Sequence, residues 1–227
     1  MKKKIFIAVL NQGFIRTELT NIMTQLSQDD RYVLMATYPA EKPIANNRNT
    51  VVRKFLESDC DYLLMMDNDC PPNSIDRLIE MADYDKDIIG GLCFGYLKEM
   101  IVPFCMKKNE EGTYNVADVC EGGGVMECDA IGSGNMMIAR RVLENIDFPF
   151  RNEYDKEGIK IKGLDFNFCA RAKKKGYKVW CDTSLICSHW TTINLSVVWK
   201  TLQKQIEVIK TLNTKLEELT KKEDAIQ

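Results

Sequence analysis

Asp61-Tyr62-Leu63-Leu64-Met65-Met66-Asp67-Asn68-Asp69-Cys70-Pro71-Pro72 is the stretch that decides how this chain is read. An apolar run of strand length ends in two carboxylates one residue apart. Two prolines then stop the strand, because proline has no N–H to give to a ladder. In extended chain, residues i and i+2 point to the same side, so Asp67 and Asp69 can hold one cation between them together with phosphate oxygens. An acidic turn between strand and helix is the plainer reading of the same residues, since Asp-x-Asp is common.

The flanking sequence alternates between two periods. Upstream, Lys4 to Leu10 is another apolar run of strand length, and Phe14, Leu19, Ile22, Met23 and Leu26 follow at helical spacing. Tyr32 to Ala36 gives a second strand, with Pro39 and Pro43 in the loop after it. From Ala45 to Ser58 the apolar positions Val51, Val52, Phe55 and Leu56 return to a helical period, with Asn46 or Asn47 as the N-cap. Tyr62 to Met66 is the third strand. Pro71-Pro72 suit the first turn of the helix carrying Ile75, Leu78, Ile79 and Met81, and Asp87 to Gly91 is a fourth strand. Strands alternating with helices imply an α/β fold, a parallel sheet with helices on both faces. Ligands of such sheets bind at the carboxyl ends of the strands, where Asn11-Gln12-Gly13, Thr37 and Asp67-Asn68-Asp69 lie. That convergence raises the carboxylates from a turn to a site.

The alternation breaks between Tyr96 and Gly134. Short strands such as Ile101 to Met106, a turn at Asn109-Glu110-Glu111-Gly112 and a loop at Gly122-Gly123-Gly124 predict a small antiparallel portion or a flap. Asn135 to Ala139 reads as a strand, Arg140 to Asn145 as a short helix and Phe148-Pro149-Phe150 as its exit. Gly163-Leu164-Asp165 opens a helix through Lys175, closed by Gly176, before a strand from Tyr177 to Cys181. From Asn194 the chain becomes a long polar helix without proline or glycine, dividing it into residues 1–193 and 194–227. Leu195, Val198, Leu202, Ile209, Leu212, Leu216 and Leu219 follow a 3,4 spacing interrupted at Gln205, which suits either a coiled coil joining copies through residues 195–219 or a helix packed along its own domain. Lys221 to Gln227 is expected to fray.

With 227 residues, 45% hydrophobic and 28% charged, the chain can bury one good core with a small appendage. A net charge of -2 and a pI near 5.7 supply no overall basic field to attract nucleic acid or anionic lipid. Met1 to Leu10 begins like a secretion signal, but its apolar run stops at Asn11-Gln12 without a small-residue cleavage site, so it reads as a first strand. No apolar run approaches the roughly 20 residues that span a bilayer, and a soluble protein is expected. The nine cysteines are odd in number, irregularly spaced and free of Cys-x-x-Cys, which predicts reduced thiols in the cytoplasm. Cys60, Cys93, Cys105 and Cys169 sit among apolar neighbours as small hydrophobes, and a single histidine leaves little for a structural zinc site.

In order and spacing, residues 4 to 191 resemble the family 2 type of nucleotide-sugar glycosyltransferases with the GT-A fold. The resemblance is carried by a first strand ending in a polar loop, Arg48-Asn49 on the second helix, and the strand running into Asp67-Asn68-Asp69. It continues through Gly132-Ser133-Gly134-Asn135 before Ile-Ala-Arg-Arg, Asp165 within Gly-Leu-Asp-Phe-Asn-Phe-Cys-Ala-Arg-Ala, Gly176-Tyr177-Lys178-Val179 and Ser188-His189-Trp190.

The resemblance implies a Rossmann-like GT-A sheet and a metal-dependent hexosyltransferase-type enzyme. It would move one sugar from a nucleoside diphosphate sugar to an acceptor hydroxyl with inversion, although Asp-x-Asp sites serve retaining enzymes as well. Negative charge gathers on the diphosphate as the glycosidic bond breaks, and a divalent cation neutralises it. Asp69 is then a direct ligand, Asp67 a contact to metal or ribose, Asn68 part of the donor-binding set and His189 a third ligand. Oxygen ligands with one imidazole suit manganese or magnesium. Asp165 takes the place of the catalytic base, with Leu164 where a first acid is expected. Arg48 would meet the base or diphosphate, Asn11 the nucleobase, and Gly132, Ser133 and Gly134 the donor sugar. Each has a structural counterpart: a helix N-terminal acid for Asp165, a satisfied side chain for His189, an exposed helix arginine for Arg48 and a tight turn for the glycines. A nucleotidyltransferase acting on a sugar phosphate shares such sheets but usually has a glycine-rich basic loop after the first strand, which Asn11-Gln12-Gly13-Phe14 does not supply. A non-catalytic assembly protein acting through its C-terminal helix is the reading from another class. Gly-x-Gly-x-x-Gly, Gly-x-Ser-x-Gly and Gln-x-x-Arg-Trp are all missing, against dehydrogenases, hydrolases and processive synthases.

Overall fold

The computed structural model of the chain describes residues 2–97, 100–119 and 122–224, with side chains for all of these except Leu97 and residues 217–224. The first part alternates strand and helix: β1 (Lys4–Leu10), α1 (Thr17–Leu26), β2 (Val33–Thr37), α2 (Ile44–Glu57), β3 (Tyr62–Asp67), α3 (Ile75–Glu80) and β4 (Ile88–Leu92). Short strands follow: β5 (Phe94–Leu97), β6 (Met100–Pro103), β7 (Cys105–Lys108), β8 (Tyr114–Val116), β9 (Val125–Cys128) and β10 (Ala130–Ile131). Then come β11 (Asn135–Ala139), α4 (Arg140–Leu143), β12 (Glu153–Tyr154), β13 (Lys160–Lys162), α5 (Leu164–Lys174), β14 (Val179–Ile186) and α6 (Leu195–Asp224).

The central sheet has the order β2-β1-β3-β11-β4-β14-β9. β2, β1, β3, β4 and β14 run the same way, β11 lies antiparallel between β3 and β4, and β9 is antiparallel at the edge. β1, β3, β4 and β11 are buried along nearly their whole length, as unbroken apolar runs in a sheet covered on both faces must be. Gly90 makes the β4–β11 pairing possible: a Cβ there would lie 2.6 Å from the carbonyl oxygen of Asn135. The expected antiparallel portion is present as a β10-β7-β8 sheet, with the β5-β6 ribbon and the β12-β13 pair beside it in the chain.

Several boundaries differ from expectation for local reasons. α2 is preceded by Pro43 without a side-chain cap; Asn47 is buried instead, its amide donating to the Pro39 carbonyl at 3.2 Å. Pro71 and Pro72 do not enter α3, which is capped by Ser74 accepting from the Arg77 N–H. The expected strand from Ile101 to Met106 breaks at Phe104, whose N–H donates to the Cys93 carbonyl at 2.7 Å, leaving β6 and β7 as separate strands. β14 starts only at Val179 because Tyr177 N–H turns back to the Ala172 carbonyl at the end of α5, where Gly176 takes a φ of 90°.

The chain forms two compact units. One comprises the residues up to Gly95 with Val102–Trp190 and holds the sheet; the other comprises Tyr96–Ile101 with the residues from Thr191 onward, chiefly α6. Within the second unit Tyr96 Oη and Thr201 Oγ1 are 3.0 Å apart. No described helix is long and apolar enough to cross a membrane. The described cysteines are all buried and unbridged, and Cys120 lies outside the described residues, as do Ala225–Gln227 of the tail expected to fray.

Candidate active site

The carboxylate loop at the end of β3 is held by the two strands that flank it, β1 and β11. Asp67 N–H donates to the Gly134 carbonyl at 2.8 Å and Asn68 N–H to the Leu10 carbonyl at 3.0 Å, so the loop is fixed to the start of β11 and the end of β1. Beneath it Gly134 leaves room for thiols, since a Cβ would come within 2.8 Å of Cys70 Sγ.

His189 reaches this loop because the chain after β14 is laid along the chain after β3. Asn73 N–H donates to the Ile186 carbonyl at 2.8 Å, Asn73 Oδ1 accepts from Ile186 N–H at 3.1 Å, and Pro72 bridges to Cys187. Ser188 N–H then reaches the Pro71 carbonyl at 2.9 Å and Trp190 N–H the Asp69 carbonyl at 2.8 Å. Pro71 thus acts as an acceptor and Pro72 as the non-hydrogen-bonded member of an irregular pairing, where their missing N–H groups cost nothing. His189 Nε2 ends 3.7 Å from Asp69 Oδ2, and one ligand atom each from Asp69, Cys70 and His189 lie within 4.8 Å of one another.

The tautomer of His189 fits a cation. Its Nδ1 lies 2.6 Å from the carbonyl oxygen of Phe94, which can only accept, so in the neutral ring Nδ1 carries the hydrogen and the Nε2 lone pair faces the Asp69 carboxylate. Backbone orientation of a ligating imidazole in this way is the usual outer-shell arrangement of metal sites. Asp69 supplies carboxylate oxygens and His189 one imidazole nitrogen, a donor set compatible with manganese or magnesium.

Asp67 is placed differently. Both its oxygens accept from Arg48 Nη2, at 2.8 and 2.7 Å, and the Arg48 side chain is only 3% exposed. Burial opposes the Arg48 cation, but Asp67 and Asp165 more than offset it, so its pKa is raised. Burial also raises the Asp67 carboxyl, helped by Asp165 and Asp69 and opposed by Arg48. Arg48 is therefore not an exposed helix arginine; it anchors α2 to β3. Asp165 joins from the first turn of α5: its Oδ2 accepts from Ser133 N–H at 3.3 Å, and Arg48 Nη1 lies 3.5 Å from the Ser133 carbonyl.

Four buried polar atoms along this wall have no hydrogen-bond partner among the described residues: Arg48 Nε, Ser133 Oγ, Asn135 Oδ1 and Asp165 Oδ1. Such atoms are costly in a finished core and ordinary in a wall that meets polar groups of a ligand. Other expected site residues are committed to the scaffold. Asn68 Oδ1 accepts from Arg16 N–H at 2.8 Å, Asn11 Oδ1 from Gly13 N–H at 2.9 Å, and the Asn11 amide donates to the Pro39 carbonyl at 3.2 Å. Gly132 N–H donates to the Phe104 carbonyl at 3.2 Å. Sequence reasoning missed Cys70 and the contact of Arg16 with the Trp190 ring, 5.3 Å from its centroid, although each is adjacent to, or contacts a neighbour of, a residue it had singled out. A groove of about 690 Å³ on α2 and α4, lined by Asn46, Arg53, Leu143 and Phe148 among others, contains none of the site carboxylates.

No protein-family model matches this chain, and no curated protein is similar to it. Among solved structures, A197 from STIV is similar at 21% identity and a TM-score of 0.57, covering 84% of this chain and 86% of its own. GalNAc-T7 with UDP, GalNAc and Mn2+ follows at 10% identity and a TM-score of 0.49; the match covers 85% of this chain but 44% of that one. UDP-glucose pyrophosphorylase complexed with UDP-glucose matches at 8% identity and a TM-score of 0.43, over 91% of this chain and 99% of that one. The fold is thus of the GT-A-like α/β type: a mostly parallel sheet flanked by helices, with an antiparallel portion and a C-terminal helix.

Proposed function

We propose that the protein is a divalent-cation-dependent glycosyltransferase of the family 2 type, moving one sugar from a nucleoside diphosphate sugar to an acceptor hydroxyl with inversion. The observation that carries this reading is the Asp69–His189 pair, brought together from two distant segments with the Nε2 lone pair of His189 turned toward the carboxylate. Asp69 and His189 would hold the cation, manganese or magnesium, with Asp67 behind them on Arg48. When bound, the cation supplies Lewis-acid neutralisation of the diphosphate leaving group.

The chain's own residues do the rest. Arg48 keeps Asp67 in place, and the Gly132–Asn135 segment backs the donor sugar, with the buried, unpartnered Ser133 Oγ and Asn135 Oδ1 in the wall beneath it. Asp165 accepts the acceptor proton as the acceptor oxygen bonds to the anomeric carbon and the bond from that carbon to the diphosphate breaks. Asn11 and Asn68 shape the loop against which the nucleobase lies rather than touching it with free side chains. The loop from Asn11 to Arg16 contains no glycine-rich basic phosphate cradle, which favours sugar transfer over nucleotidyl transfer.

A panel of nucleoside diphosphate sugars incubated with the protein and Mn2+, resolved by chromatography, tests this. Release of a nucleoside diphosphate from one donor is expected, lowered about a hundredfold or more by Asp69→Ala or His189→Ala. Release of pyrophosphate from a nucleoside triphosphate and a sugar phosphate would instead assign the site to nucleotidyl transfer.

A further inference from the structure

The chemistry above makes no use of α6, the longest element of the chain. One side of this helix is engaged within its own unit: Thr201 is buried beside Tyr96, and Val198 and Gln205 are half-buried. Another side is open. Leu195, Trp199, Leu202, Ile206, Ile209 and Leu212 are between 43% and 78% exposed. Leu195, Trp199, Leu202, Ile206, Ile209, Asn213 and Leu216 recur at intervals alternating between four and three residues, the spacing of a coiled-coil seam. This seam is not the one drawn from the sequence through Val198 and Gln205, because that side faces Tyr96. Leu219 of the earlier pattern lies outside the described side chains.

We propose that a second copy of this chain docks along this seam as a parallel, in-register two-stranded coiled coil, independently of the reading of the active site. Asn213 decides the orientation. It is the one polar position of the seam, and a buried amide is satisfied opposite the partner subunit's Asn213, where each side chain offers both donor and acceptor. Full antiparallel overlap of residues 195–216 would instead set Asn213 against the partner's Val198 and Trp199 neighbourhood, leaving the amide unmet. Charge decides the occupant. In sequence, residues 195–224 carry six lysines against five acids, a nearly neutral balance with no preference for anionic lipid. A closed pair also buries the same surface of both copies, so assembly stops at two.

Sedimentation equilibrium of the full chain at micromolar concentration is expected to give twice the 26.1 kDa chain mass. The double variant Leu202→Asp with Ile209→Asp is expected to sediment as a monomer while keeping the cooperative unfolding transition of the native chain. Asn213→Cys is expected to form a covalent dimer on mild oxidation, which the native chain, its described thiols buried, does not. A monomer at tens of micromolar would overturn the proposal. So would a dimer that survives the double variant, a dimer in which Asn213→Cys fails to cross-link, or a monomer that co-sediments with phosphatidylserine vesicles.

Discussion

Arg48 and Asp67 show what single residues contribute here. A pair in which Nη2 of a 3% exposed guanidinium meets both oxygens of a carboxylate at the mouth of β3 leaves a buried charge if either partner is removed. Arg48→Ala should therefore cost on the order of 3 kcal/mol in urea unfolding, whereas replacing the pair together, Arg48→Met with Asp67→Leu, should recover most of that loss. Arg48→Lys should fall between the two, since one ammonium cannot meet Asp67 and the Ser133 carbonyl from two separate nitrogens as Nη2 and Nη1 do. The sequence carried a hint of this pairing: Asn47 and Arg48 occupy the same helical face as Val51, Val52 and Phe55, an apolar face on which a polar residue needs a partner. Asp69 and His189 were singled out as candidate ligands by the resemblance in motif order, and the fold brings their side chains within 3.7 Å of each other. That Cys70 joins them, and that Asn68 and Asn11 spend their side chains on Arg16 and Gly13, depends on loop conformation that periodicity does not encode.

At the level of elements, the sheet depends on close approaches that only small residues permit. Gly90→Ala would set a Cβ 2.6 Å from the Asn135 carbonyl oxygen, forcing β11 away from β4; a loss of about 2 kcal/mol or more in thermal or urea unfolding is expected. Asp129 ties three elements together, accepting from the Lys108 N–H of β7 at 2.7 Å and pairing with Lys173 of α5 just before β10. Although burial opposes it, Lys173 and the Lys108 N–H hold the Asp129 carboxyl below its ordinary value of 3.8. A depressed carboxylate contributes stability that is complete above the ordinary value and is lost as pH falls through the folded value. Asp129→Asn should thus destabilise by about 1 kcal/mol near neutrality, and the gap to the native chain should narrow in urea titrations as pH falls below the ordinary carboxyl value of 3.8. Strand and helix positions were largely readable from period. The direction of β11 was not, because a buried apolar run in mid-sheet reads the same whether parallel or antiparallel to its neighbours.

Over the whole molecule, the early strand-helix alternation was enough to predict an α/β sheet with its site at the carboxyl ends of the strands, and β1, β3 and β14 deliver their loops there. What could not be read was the irregular pairing of residues 69–73 with 186–190, formed between segments far apart in the chain and held by backbone groups that any residue types could supply. That pairing brings His189 to within 3.7 Å of Asp69 at the acidic strand end, the arrangement on which the proposed cation site rests. Its most direct test is the thermal unfolding of the native chain with a panel of nucleoside diphosphate sugars, each with and without Mn2+. One donor is expected to raise the transition only when Mn2+ is present, by the equivalent of about 2.7 kcal/mol at a hundredfold excess over its dissociation constant, with the shift abolished by His189→Ala. Equal stabilisation with and without the cation, or an undiminished shift in the His189→Ala variant, would contradict the account.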